Sequence, residues 1–188
     1  MHKKILISTL FLALATAAGT ASPNGPKRYY QIPNFTFVDA LSGKNTSNAE
    51  LKGQMTIVSF VFTNCHHVCP FIMGNMANLQ KKYADAKDIR LMSVTTDPRR
   101  DNAEVFKKYA EKFTAKPGKW WFITGQPEEI VNFIKDGFKL PISLESPDIH
   151  SEKIALMDEN GWVRGYFNSA SKDDLAQLDK AIKALRTE

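Results

Sequence analysis

The stretch MTIVSFVFTNCHHVCP, residues 55–70, decides the fold. Residues 55–62 are β-prone and almost continuously apolar, which is typical of a strand that is buried on both faces of a sheet. Two residues later come the only cysteines of the chain, Cys65 and Cys69. The proline that follows suits a first helical turn, so the sequence predicts a helix over residues 70–83.

Outward from this stretch, strands and helices alternate along the chain. The other predicted elements are an extended segment at residues 35–40 with a turn at 41–44, a brief helical turn at 48–52, strands at 91–94 and 120–123, a helix from Asp101 or Asn102 to about Phe113, a helix at 127–135, a hairpin of 154–157 and 162–167 around Asn160-Gly161, and a last helix capped by Ser171. Alternation of this kind favours a partly parallel sheet with helices on both faces. The predicted class is therefore α/β, a mixed sheet flanked by helices with a C-terminal β-hairpin and a final helix.

Residues 1–21 have the pattern of a cleavable secretory signal peptide. Two lysines precede an apolar stretch at residues 5–15 that is too short to span a bilayer comfortably, and small residues follow it. We expect cleavage after Ala21, a flexible lead-in at residues 22–31 and one domain at residues 32–188. The alternative is an uncleaved N-terminal anchor.

Loss of that segment lowers the formal net charge from +5 to +3, and the remaining basic residues are scattered among acids. Such a mild charge does not favour a nucleic-acid partner. We expect a periplasmic or otherwise exported protein that has no stable membrane anchor after cleavage.

The two cysteines are open to three interpretations. A structural disulfide between Cys65 and Cys69 would close a five-residue loop and add only about 2 kcal/mol of stability in the chain-entropy model. The positive end of the following helix favours the thiolate over the thiol. Thiolates are both the nucleophiles of disulfide exchange and soft metal ligands, so a redox pair and a metal site are the other two interpretations.

Histidines could complete a metal site. His2 leaves with the signal segment, His66 and His67 lie between the cysteines, and His150 lies just before the strand at residues 154–157. A lone loop histidine is more often a surface residue than a ligand, but the hairpin that follows His150 could lean against the first helix. Two thiolates and one imidazole suit Cu(I), and with a further oxygen or water the same donors could bind Cu(II).

Three separated segments, in the same order, resemble the Sco/SenC family of copper-binding proteins. They are Thr-Asn-Cys-x-x-x-Cys-Pro at residues 63–70, the segment at 94–101 that contains Asp-Pro, and the histidine segment at 148–151 followed by the hairpin at 156–161. The resemblance covers roughly residues 32–187, nearly the whole chain after the signal segment.

This resemblance implies a thioredoxin-like fold with Cys65, Cys69 and His150 as copper ligands. It also implies delivery of copper to the binuclear copper centre of a cytochrome c oxidase subunit, or reduction of thiols during its assembly. By the same resemblance Asp97 would orient the site or shuttle protons. Its alternative role is that of a turn residue that caps the next helix.

The chain departs from the family pattern in two ways. Many members keep a membrane anchor, whereas this chain is expected to lose its N-terminal segment. His66 and His67 stand where other residues are expected, and either could supply an extra ligand, favour Cu(II) or permit zinc. The alternative interpretation is that both histidines are merely exposed on the loop. Met73 and Met76 could offer a copper-transfer path, although methionine more often fills a core.

The sequence thus supports two hypotheses of different kinds. The first is an exported copper chaperone whose partners are a copper acceptor, such as a cytochrome c oxidase subunit, and other copper carriers or thiol reductants. The second is a thiol–disulfide oxidoreductase that uses Cys65 and Cys69. A peroxidase-like thiol protein of the same fold is a weaker third hypothesis, because a fold alone does not choose among them.

Overall fold

The computed structural model describes residues 25–188, whose strands form one mixed sheet. The strands are β1 (Thr36–Asp39), β2 (Lys44–Ser47), β3 (Met55–Val61), β4 (Ile89–Thr95), β5 (Trp120–Thr124), β6 (Lys153–Met157) and β7 (Val163–Asn168). Their spatial order is β2-β1-β5-β4-β3-β6-β7. Strands β3, β4 and β5 run parallel in the centre, and β1, β6 and β7 pair antiparallel with their neighbours.

The central strands are buried at every position, as the apolar run at residues 55–62 predicts. A strand buried on both faces needs cover from both sides. Helices α1 (Cys69–Lys82), α2 (Ala103–Glu111) and α4 (Lys172–Leu185) pack over one face. Helix α3 (Pro127–Asn132), its π-helical continuation over Phe133–Gly137, and the apolar residues before β1 cover the other. The predicted α/β class is confirmed.

The C-terminal part also agrees with its sequence pattern. Strands β6 and β7 form the predicted antiparallel hairpin, and Gly161 adopts a positive φ of 78° in the turn between them. The Asp158 carboxylate accepts the backbone N–H groups of Asn160 and Trp162, which holds this turn closed. Ser171 caps α4 by accepting the N–H of Asp174.

One short segment, at the edge of the sheet, differs from the expectations. The turn at residues 41–44 leads into a second strand, β2, which pairs with β1 at the edge of the sheet. Its sequence, Lys-Asn-Thr-Ser, is polar, so no apolar alternation announces it. Of the two residues predicted to cap α2, Asn102 is the one that does so, and the Asp101 carboxylate accepts other hydrogen bonds.

The lead-in at residues 22–31 was expected to be flexible, but its last residues are held on the sheet. Tyr29 donates its backbone N–H to Val163, and Val163 donates to Tyr30. A bridge between Gln31 and Trp162 continues this pairing. The predicted signal segment, residues 1–21, lies outside the described residues. Within residues 25–188, no helix has the length and apolar character needed to cross a membrane.

We expect Met76→Ala to lower the free energy of unfolding by about 2–5 kcal/mol, because the side chain is fully buried and its removal leaves a cavity. Met76→Leu keeps the volume and should cost less than about 1.5 kcal/mol. Urea denaturation measures both. Met76→Leu should also leave copper affinity unchanged, and a loss of affinity would show that this sulfur takes part in copper handling.

Candidate metal centre

The cysteine loop joins the carboxyl end of β3 to the amino end of α1. The backbone N–H of Cys65 donates to the carbonyl of Phe62, at 3.4 Å, and starts the loop. The backbone N–H of Cys69 donates to the Cys65 sulfur, also at 3.4 Å. Cys65 Sγ therefore caps the first turn of α1, which Pro70 then continues. Both cysteines carry free thiols and both are buried.

The two thiols differ in acidity. Burial opposes ionisation of Cys65, but hydrogen bonds from the Cys69 thiol and from backbone N–H groups of the loop outweigh it, so its pKa lies below the ordinary 9.0. Burial and the hydrogen bond to Cys65 raise the pKa of Cys69 far above that value. Cys65 is therefore the thiol that ionises first. Cys69 keeps its proton and donates a hydrogen bond to the Cys65 sulfur.

His150 reaches this pair from a distant part of the chain. Its Nε2 lies 3.9 Å from Cys69 Sγ, across 81 positions of sequence. Its Nδ1 lies 3.1 Å from the carbonyl oxygen of Ser151. A carbonyl only accepts, so Nδ1 carries the proton, and the lone pair of a neutral imidazole is on Nε2, facing the sulfur. Burial lowers the pKa of His150 below 6.5, which favours this neutral form.

The separation of one pair of these donor atoms is close to that of two ligands on a single metal ion. With the bond lengths of zinc sites, about 2.3 Å to sulfur and 2.0 Å to nitrogen, an angle of 120° at the metal places the two ligand atoms about 3.7 Å apart. The observed 3.9 Å between Cys69 Sγ and His150 Nε2 is close to that separation. Across residues 25–188, no three His, Cys, Asp or Glu side chains already stand in metal-binding geometry. Metal binding therefore requires at least one donor to shift.

The structure places the other candidate ligands in two different environments. His66 and His67 are both exposed on the loop between the buried cysteines. Met73 and Met76 are fully buried in α1. Met73 Sδ accepts the hydroxyl of Ser93, which places this sulfur in the core of the sheet.

Asp97 and Asp101 have different surroundings. The Asp97 carboxylate is buried and pairs with the Arg100 guanidinium. The Asp101 carboxylate accepts the backbone N–H of Thr63, at 3.1 Å, and the hydroxyls of Thr63 and Thr95, at 2.5 and 2.7 Å. Burial raises the pKa of Asp101. Asp101 thus ties the residue two places before Cys65 to the end of β4.

Sequence reasoning missed this role of Asp101. In the sequence it is only a candidate helix cap beside Asn102. The pattern of residues 94–101 carries no sign that its carboxylate turns inward to the threonine of another strand. A buried carboxylate with three hydrogen-bond donors becomes visible only when the ends of β3 and β4 are placed side by side.

Fold and site together define a class: a thioredoxin-like thiol protein whose cysteine pair, at the start of a helix, is approached by an imidazole. The comparisons with known proteins give the family. The model of the SCO1/SenC family matches residues 24–186 of the chain. The chain belongs to the SCO1/SenC family.

Individual relatives agree with this assignment. The SCO1 protein homolog of Bacillus subtilis is 30% identical, over 98% of this chain and 97% of its own length. The solved structure of BsSco, a member of the Sco family of cytochrome c oxidase assembly proteins in which a disulfide switch has been identified, is similar with a TM-score of 0.74. It is 29% identical and covers 87% of this chain and 97% of its own.

A copper-bound relative has also been solved. The structure of Bradyrhizobium japonicum ScoI with copper bound is 25% identical, with a TM-score of 0.61. It covers 80% of this chain and 99% of its own. This chain therefore belongs to a family whose members include copper-binding proteins and cytochrome c oxidase assembly proteins.

We expect iodoacetamide to alkylate Cys65 before Cys69 in the folded, reduced protein. The thiolate is the reacting form, and the pKa of Cys65 is lowered while that of Cys69 is raised. Peptide mass spectrometry after short exposures, at a series of pH values, measures both rates. The rate at Cys65 should rise with pH through a midpoint below 9.0. Equal rates at the two sulfurs would contradict the asymmetry.

Proposed function

We propose that this chain is an exported copper chaperone that holds one copper ion with Cys65, Cys69 and His150. It delivers the ion to a copper centre of cytochrome c oxidase or to a similar exported target. The observation that carries the proposal is the 3.9 Å approach of His150 Nε2 to Cys69 Sγ. The proposed export rests on the signal pattern of residues 1–21.

The donor set supports copper over other metals. Thiolate sulfur is a soft ligand that selects Cu(I), and imidazole is a suitable third donor. Cu(II) would call for a further oxygen or water, and zinc for a fourth ligand, which His66 or His67 could supply. The copper-bound structure of the Bradyrhizobium ScoI supports the same metal.

The chain's own groups explain how copper would enter and leave. Cys65 ionises readily, but Cys69 holds its proton, so binding of copper must release the Cys69 proton to water. His150 already presents an unprotonated Nε2. Return of a proton to Cys69 would weaken the site again, which suits a carrier that must part with its ion.

The surface around the thiols supports transfer to a protein. Phe71, in the first turn of α1, is 72% exposed, and Ile149, next to His150, is 51% exposed. Each lies in a segment that carries a candidate donor, and we infer that these two apolar side chains contact a partner. A partner that seats there brings its own ligands close to the sulfurs, and we propose the copper acceptor as that partner.

A thiol–disulfide oxidoreductase is the second candidate, because the two thiols differ in acidity. The Cys65 thiolate would attack a partner disulfide and release one partner thiolate. Cys69 would then attack Cys65 in the mixed disulfide and release the second. The partner gains two electrons and this chain ends as a Cys65–Cys69 disulfide. Oxidation would also release copper, so the two roles are compatible.

We expect His150→Ala to weaken Cu(I) binding by at least about tenfold at neutral pH, the loss that even a supporting residue of a metal site can bring. Anaerobic competition with a chromophoric chelator measures it. Burial lowers the pKa of His150, so the ratio of wild-type to variant affinity should hold down to about 6.5, its ordinary pKa, and shrink only below it.

The matched control is the double variant His66→Ala, His67→Ala, whose imidazoles are exposed and should contribute less than about twofold. Thiol–disulfide exchange should survive His150→Ala but not loss of either cysteine. Unchanged copper affinity in His150→Ala would contradict the three-ligand site and leave the oxidoreductase as the better proposal.

We expect Phe71→Ser to slow copper transfer to the soluble copper domain of a cytochrome c oxidase subunit by about tenfold, as loss of a central apolar contact does at protein interfaces. Transfer to a small chelator should keep its wild-type rate. Stopped-flow absorbance measures both. Tyr30→Ser, an exposed aromatic at the opposite end of the sheet, is the control. Equal slowing with both acceptors would argue against a docking role.

A further inference from the structure

Phe62, the first residue after β3, contacts both the cysteine loop and His150. Its carbonyl accepts the backbone N–H of Cys65. Its ring stands edge-on to the imidazole of His150, with centroids 5.6 Å apart and an angle of 86° between the planes. Any residue could make the backbone contact, whereas the ring contact requires an aromatic side chain.

His150 depends on such contacts because its backbone is irregular. Residues 139–152 contain neither helix nor strand. The loop is tied to the end of β4 by the Thr96 hydroxyl, which donates to the Pro147 carbonyl at 3.3 Å. That bond places the loop but leaves the imidazole free to turn about its own side-chain bonds.

Two contacts then determine the orientation of the imidazole. The hydrogen bond from Nδ1 to Ser151 sets which nitrogen is protonated. The edge-on packing against Phe62 sets the plane of the ring, since aromatic pairs prefer this arrangement at centroid distances of about 4.5–7 Å. With both in place, Nε2 points at Cys69 Sγ.

We propose that Phe62 is a positioning residue for copper: its ring holds His150 in the orientation in which Nε2 can join the two sulfurs on one ion. This inference rests on the proposed function of the site. The competing explanation is that Phe62, which is only 8% exposed, merely fills the core beside α1. A leucine could fill that space but could not present a flat ring to the imidazole.

The test is a double-mutant cycle on anaerobic Cu(I) affinity. Phe62→Leu should weaken binding by about tenfold when His150 is present, and by less than about twofold in the His150→Ala background. Phe62→Tyr keeps the ring and should restore wild-type affinity. Phe62→Met serves as a second ring-less variant if Phe62→Leu does not fold. An equal loss in both backgrounds would mean that Phe62 acts on the core alone, and would overturn the proposal.

The matched control is Phe60→Leu, two residues earlier in β3. Phe60 makes the same kind of edge-on contact with Phe138, at 4.9 Å and 70°, in the core on the other face of the sheet. It should lower stability as much as Phe62→Leu while leaving copper affinity within about twofold. A copper loss that follows stability in both variants would also overturn the proposal.

A metal-free measurement separates this inference from the proposed function. In the reduced apoprotein, NMR should show contacts between the ring protons of Phe62 and His150, and shifts of the imidazole protons that disappear in Phe62→Leu and persist in Phe60→Leu. Absence of those contacts in the wild-type protein would overturn the positioning role. If they are present but the wild-type protein binds no copper, the proposed function fails while the ring contact stands.

Discussion

The whole site depends on one pairing, that of β3 with β6. The two strands run antiparallel, with Thr56 opposite Met157 and Val58 opposite Ala155. Continued beyond the last pair, this register brings residue 150 beside residue 63. The loop that carries the cysteines and the loop that carries His150 therefore meet the sheet at the same end of its strands, although 81 positions separate Cys69 from His150. A slip of the pairing by one residue would turn the side chains of β6 to the opposite face.

Local patterns were enough to predict most of the frame. The apolar run at residues 55–62, the proline after Cys69 and the Asn160-Gly161 turn each act within a few residues, and strands and helices appear where these signals predict them. Strand β2 was not predicted, because a polar strand at the edge of a sheet needs no apolar alternation. The local signals of that hairpin are its pairing partner β1, which alternates in burial, and the predicted turn at residues 41–44.

The candidate site was less predictable from local patterns than the fold was. Cys65 and Cys69 stand out in the sequence because they are adjacent to a buried strand and a helix start. His150 has no local signal, and its membership of the site follows from resemblance to a family. Asp101 could not be found, because its hydrogen bonds join residues that only the sheet brings together. Long-range pairing decides such contacts, and a single sequence does not display it.

The pairing of residues 29–31 with the sheet decides how the protein would be oriented on a surface. Tyr29 and Tyr30 attach beside Val163, at the end of the sheet where β3 begins, while the sulfurs lie beyond the end where β3 finishes. The seven residues of β3 span about 23 Å at 3.3 Å each. The lead-in thus joins this domain at one end of the sheet, and the cysteine loop lies at the other. An affinity tag or surface linker joined ahead of residue 25 would immobilise the protein with its cysteine loop facing the solution.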